Sequence, residues 1–141
     1  MRTTIPLQII DMQSDGFHPL IDATLFGKTF KLVLDTGASK TAFDKTLLAE
    51  VNEGGLISES DRLSTGLGTN TMASFTAIIT DMHIGDLKID EFEAAVLDLS
   101  AINIAYKQLD HPEVLGVLGG DILMKYKTVI DYGKGIMTLN P

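Results

Sequence analysis

Phe30-Lys31-Leu32-Val33-Leu34-Asp35-Thr36-Gly37-Ala38-Ser39 is the stretch that decides how this chain is read. Its first five residues are mostly branched or aromatic, the composition of a buried strand. An aspartate at the end of such a strand sits where a charge is costly unless hydrogen bonds compensate it. Thr36, Gly37, Ala38 and Ser39 offer hydroxyls and small residues that let the backbone turn tightly and present its N–H groups. A strand-ending Asp alone marks an ordinary turn. The strand, the Thr-Gly step and the small residues together mark Asp35 as a candidate catalytic carboxylate, with Thr36 to Ser39 as its support.

Upstream, Ile5 to Ile10 reads as a first strand, Ser14-Asp15-Gly16 as a turn, and His18 to Leu25 as a strand that returns through Phe26-Gly27-Lys28 into the Asp35 strand. Downstream, Asp44 caps a short helix with Leu47, Leu48 and Val51 on one face, ended by Asn52-Glu53-Gly54-Gly55. Two strands then flank Gly66-Leu67-Gly68-Thr69-Asn70, the second running from Thr71 to about Ile84, which describes a projecting hairpin with a glycine tip. Leu87 to Leu97 is a further strand, and Ser100 to Leu109 a weakly patterned irregular or helical excursion that ends before His111-Pro112. Val114 to Leu118 enters Gly119-Gly120, Asp121 to Lys127 is a short helix, and Thr128–Asp131 and Ile136–Leu139 are the closing strands. A faint repeat runs through this order: Leu25-Phe26-Gly27-Lys28 leading to Val33-Leu34-Asp35 is echoed by Ile84-Gly85-Asp86-Leu87 leading to Val96-Leu97-Asp98.

The 141 residues suit one domain spanning 1–141, and a 45% hydrophobic share supports a core without external staples. Short branched runs punctuated by 13 glycines point to an all-β or mostly-β fold. The absence of Cys excludes a disulfide framework, a thiolate metal site and a cysteine nucleophile. A formal charge of −8 with scattered Lys and Arg argues against nucleic acid as a partner. No run of about 18 apolar residues reads as a membrane span, so the chain as given is expected to be soluble, without a signal peptide, and cytoplasmic. His18, His83 and His111 lack ligand spacing, so no metal is expected; Gly27-Lys28-Thr29 lacks the upstream glycine of a phosphate loop; and Ser39 has no evident His partner.

The chain resembles the retropepsin-like aspartic peptidases, the single-lobe relatives of pepsin. Three features carry the resemblance in order: Asp35-Thr36-Gly37-Ala38-Ser39, the glycine-tipped hairpin at 66 to 70, and Val117-Leu118-Gly119-Gly120-Asp121-Ile122-Leu123. It implies a mostly-β acid protease lobe built as a closed β-barrel, with a flap hairpin and one or two short helices. It also implies that Asp35 is catalytic, that Thr36 hydrogen-bonds its counterpart across a dimer axis, that Gly37 is a close backbone contact, and that Gly66, Leu67, Gly68 and Thr69 form a flap tip over an extended peptide.

The implied chemistry needs two carboxylates, one acting as base on water and the other protonated. No second Asp-Thr-Gly or Asp-Ser-Gly occurs, and Asp98, Asp121 and Asp131 stand in unrelated contexts. A homodimer placing both Asp35 residues on one two-fold axis is therefore the expected partner arrangement, with polypeptide as substrate and no cofactor. Retroviral members place an acid after Asp-Thr-Gly-Ala and an arginine after the C-terminal Gly, an ion pair that ties their dimer. Ser39 and Gly120 stand there instead. That departure keeps a second reading open: a peptide-binding or dimerisation module with little or no proteolytic activity.

Overall fold

The computed structural model describes residues 2–51, 57–65 and 71–141, with the backbone alone described over 57–65 and 71–74. The N-terminal segment divides into β1 (Thr3–Pro6) and β2 (Gln8–Asp11) rather than running as one strand. Pro6 has no N–H to continue a ladder and sits at the end of an edge strand. Leu7 then donates its N–H to Gly135 O at 2.8 Å, and the chain passes from one sheet to another.

β3 (Phe17–Leu25) and β4 (Lys28–Leu34) form a hairpin, paired from Leu20↔Val33 to Leu25↔Lys28. Its two turn residues, Phe26 and Gly27, both have positive φ (49° and 81°), the backbone that matches the twist of a tight hairpin. Next come β5 (Ala42–Asp44), α1 (Lys45–Val51), β6 (Ile57–Thr65) and β7 (Thr71–Ile79). β8 (Met82–Ile84), β9 (Leu87–Ile89) and β10 (Phe92–Leu97) lie beyond them in the chain. The last elements are α2 (Ser100–Gln108), β11 (Gly116–Leu118), α3 (Gly120–Lys125), β12 (Val129–Asp131) and β13 (Ile136–Leu139).

A 10-stranded sheet carries the order β6-β7-β10-β5-β11-β4-β3-β8-β9, with β2 added on β3, and curls into a half-barrel. The mostly-β lobe is as expected, but the barrel stays open, because among the described residues β6 and β9 end the order without pairing to each other. The expected long strands 71–84 and 87–97 each break in two: β7 pairs β10, while β8 crosses to β3 and pairs there with Thr24 and Leu25. A separate 3-stranded sheet, β1-β13-β12, joins the two ends of the chain. The weakly patterned excursion after Ser100 is helical, so α2 stands beside the two expected helices as a third.

Alternation along β3 divides the interior. Ile21, Ala23 and Leu25 face the main core with Leu32, Leu34, Phe43, Leu48, Ile79 and Leu118. Leu20 faces a smaller core with Ile10, Met12, Tyr106 and Val114, which seats α2 on β2 and β3. Full burial of a Leu, Ile or Phe among these contributes about 1.5–3 kcal/mol relative to exposure. Among the described residues, no helix is long and apolar enough to cross a membrane.

Candidate active site

β11 lies between two neighbours that the chain visits in succession. It runs parallel to β4, with Gly116↔Leu32 and Leu118↔Leu34, and antiparallel to β5, with Gly116↔Phe43 and Val117↔Ala42. The segment from Asp35 to Thr41 must therefore cross over the end of β11 to pass from β4 to β5. It is laced to the residues beneath it: Asp35 N–H donates to Leu118 O at 3.1 Å, and Gly120 N–H donates to Ala38 O at 2.7 Å. Gly119 N–H donates to Thr41 Oγ1 at 3.0 Å. The crossing is so close that a Cβ on Gly119 would lie 2.6 Å from Lys40 C and 2.8 Å from Lys40 O. Only glycine fits there.

Within the crossing, Asp35 holds its own turn. Its Oδ1 accepts Gly37 N–H at 3.0 Å, and its carbonyl accepts Ala38 N–H at 3.2 Å. Asp35 is half-buried, whereas Thr36, Gly37 and Ser39 are exposed. The small residues read from the sequence thus let the loop fold back on its aspartate, leaving one carboxylate at the surface with a fixed orientation. A single carboxylate cannot act as base and acid together in hydrolysis by activated water.

Several other acids are engaged elsewhere. Asp121 Oδ1 accepts from Thr41, Asp98 Oδ1 from Ser100 N–H and Asp131 Oδ1 from Lys134 N–H. Asp22 pairs with Lys31 at 2.8 Å and Glu93 with Lys40 at 2.9 Å. A cavity of about 530 Å³ lies between α1 and α2, lined by Leu47, Asn103, Ile104, Lys107 and His111 among others, and includes none of residues 35–39.

Gly66, Leu67, Gly68 and Thr69, expected as the flap tip, lie outside the described residues. The strands on either side, β6 and β7, pair from Ile57↔Ala77 to Thr65↔Thr71, with an irregularity between Glu59 and Leu63. At the base of β7, Lys45 Nζ sits 3.9 Å over the Phe75 ring.

Two residues overlooked in the sequence sit at the loop's far end. Thr41 is fully buried, and Asp121, read from the sequence as part of the third motif and the start of a short helix but given no role at the site, accepts both its N–H and its hydroxyl. No local pattern signals the pair, because the two positions are 80 residues apart.

A family model described as aspartyl protease matches residues 21–122. Comparison with curated proteins finds no match. Among solved structures, a retropepsin-like aspartic protease from Rickettsia conorii is similar at a TM-score of 0.57 and 20% identity, over 99% of this chain and 91% of that one. The retroviral protease-like domain of Ddi1 from Leishmania major is similar at 0.55 and 14% identity, over 85% of this chain and 86% of that one. At these identities the likeness to both structures is one of fold.

Proposed function

The chain belongs to the aspartyl protease family, matched over residues 21–122, and from that membership we propose that it is an endopeptidase of extended polypeptides, with a water activated between two Asp35 carboxylates in a homodimer. The observation that carries this reading is the half-buried Asp35 at the end of β4, oriented by Gly37 N–H on a loop that exposes Thr36, Gly37 and Ser39. A second copy related by a two-fold axis supplies the missing carboxylate and builds a cleft between the lobes.

In that cleft one carboxylate, ionised, takes a proton from water as the oxygen attacks the scissile carbonyl carbon. The other, protonated, donates a hydrogen bond to the carbonyl oxygen, and collapse of the tetrahedral intermediate breaks the C–N bond as a proton passes to the leaving nitrogen. Two carboxylates about 3 Å apart share one proton, because both cannot ionise cheaply. Thr36 is exposed beside Asp35, where its hydroxyl can meet its counterpart across the axis. The β6–β7 hairpin would act as the flap, with Gly66 to Thr69 over a substrate bound as an added strand.

The test is cleavage of an unstructured protein such as casein between about pH 4 and 7 by the parent and by Asp35→Asn, in samples shown by sedimentation to be dimeric. Cleavage by the parent alone supports the proposal; equal cleavage by both refutes it.

A second reading is favoured by positions 39 and 120. Ser39 and Gly120 carry no charged side chain, so no ion pair joins these positions. On this reading the lobe binds peptide or a second copy without cutting. Peptide binding by a dimeric parent that cleaves nothing, unchanged in Asp35→Asn, would decide for it.

A further inference from the structure

We propose that Asp121 is a positioning residue for Asp35, acting through Thr41: it clasps the far end of the loop that carries the reactive carboxylate and holds that loop against α3. This rests on the peptidase reading and adds a residue to it.

The geometry is specific. Asp121 Oδ1 accepts three hydrogen bonds, from Thr41 N–H at 2.9 Å, Thr41 Oγ1–H at 2.8 Å and Ile122 N–H at 2.9 Å. The Thr41 hydroxyl in turn accepts Gly119 N–H at 3.0 Å, so both its donor and its acceptor functions are used in a fully buried site. Charge-assisted bonds of this kind are short and about twice as strong as neutral ones. Removing the acceptor leaves two buried donors on one residue, which costs more than the bonds contributed.

Rigidity on the α3 side makes the clasp effective. Ile122 is buried in the main core, and Tyr126, just past the helix, is buried too and ties its hydroxyl to the backbone by accepting Asp90 N–H at 2.8 Å. On the loop side, Asp35 N–H is bound to Leu118 O and the Ala38 carbonyl to Gly120 N–H, while Thr36, Gly37 and Ser39 face solvent. Thr41 is the last residue before β5, and freeing it releases the crossing at its buried end. An error of about 1 Å in a reacting group can cost about 10²-fold in rate. A loop that has shifted this little can still bind substrate through strand contacts, so the loss belongs in kcat.

The experiment compares parent, Asp121→Ala, Asp121→Asn, Thr41→Val and Thr41→Ser as sedimentation-verified dimers. It measures kcat and KM on one peptide and amide hydrogen exchange over residues 35–41 and 118–121. For Asp121→Ala we expect kcat to fall about 10²-fold with KM within about threefold of the parent. Exchange at Ala38, Thr41 and Gly120 should rise. The amide oxygen of Asp121→Asn can accept the same bonds and should restore kcat to within about tenfold of the parent. If Asp121→Ala does not fold, Thr41→Val, which lacks only the hydroxyl, should lose kcat and protection where Thr41→Ser keeps both. Parent-like kcat and exchange in Asp121→Ala, or in Thr41→Val, would overturn the proposal, as would an equal loss in Asp121→Asn and Asp121→Ala. A parent that cleaves nothing defeats the peptidase reading instead, and the exchange pattern still decides whether the clasp holds the loop.

Discussion

Asp35 and Asp98 end their strands in the same turn: Oδ1 of each accepts the N–H two residues on, from Gly37 and from Ser100, both at 3.0 Å. The strands they end are also placed alike, β4 running parallel to β11 and β10 parallel to β5. The faint echo between the two segments of sequence therefore has a structural counterpart. Beyond the turns the two paths diverge: Gly37 lets the chain turn back over Asp35, whereas Ser100 opens α2. The lobe repeats the scaffold of the site without repeating its chemistry.

Asp98 should be dispensable for cleavage. Asp98→Ala is expected to leave kcat/KM within about threefold of the parent, since the side chain is exposed. The Ser100 side chain, followed by its backbone N–H, holds the Asp98 carboxyl below 3.8. A lowered carboxylate pKa favours the fold above the unfolded value and loses that contribution as pH falls through the folded one. Carboxyl NMR titration should show Ser100→Ala moving Asp98 back up towards 3.8.

Asp44 joins two helices through one side chain. Its Oδ2 accepts Leu47 N–H at 3.1 Å in the first turn of α1, and its Oδ1 accepts Leu99 N–H at 2.8 Å just before α2. The residue is only 5% exposed. Asp44→Ala removes a helix cap and a second charge-assisted bond, and should cost about 2–4 kcal/mol in urea unfolding. A cost below about 1 kcal/mol would deny it this role.

Gly116 admits no side chain. A Cβ there would lie 2.0 Å from Ala42 O and 2.8 Å from Phe43 Cα, both backbone atoms of β5. Gly116→Ala should cost more than about 4 kcal/mol or prevent folding. At exposed Gly133 the nearest atom to an added Cβ is the side-chain Asp131 Oδ1 at 3.3 Å, so Gly133→Ala should stay within about 1 kcal/mol. Thermal melts of the two variants separate these outcomes.

Tyr106 makes the small core sensitive to alkali. It is 2% exposed, its hydroxyl lies 2.7 Å from His18 Nδ1, and burial raises its pKa from 10.0 to about 12. The unfolded chain ionises this phenol first, so stability is intact below about pH 10 and is lost towards pH 12, by up to about 1.4 kcal/mol per pH unit. Tyr106→Phe should flatten that loss in urea unfolding at pH 9 to 11, while lowering stability near neutrality by about 1 kcal/mol for the missing hydrogen bond. An equally steep alkaline loss in Tyr106→Phe would place its origin elsewhere.

The parts legible from sequence are those whose physics is local. The apolar run into Asp35, the small residues after it and the Asp44-capped helix each announce themselves within a few residues. The split of β1 from β2 depends on Leu7 meeting Gly135, and the clasp of Asp121 on Thr41 crosses 80 positions, so neither leaves a local pattern. α2 is hard to read because it buries Tyr106 but leaves Ile104 59% exposed, which blurs its apolar stripe. Gly116 looks like an ordinary strand glycine until β5 is laid against it.

If the active site takes one Asp35 from each of two copies, mixing active and inactive copies reveals it. Parent and Asp35→Asn chains are combined in known ratios at constant total concentration, allowed to exchange subunits, and assayed on one peptide. If both carboxylates of a dimer are required, activity follows the square of the parent fraction, so an equal mixture should retain about one quarter of the parent rate. Retention of about one half, in direct proportion to the parent fraction, would mean that each chain cleaves independently, and about three quarters that one Asp35 per dimer suffices; under verified exchange either result refutes a shared pair of carboxylates.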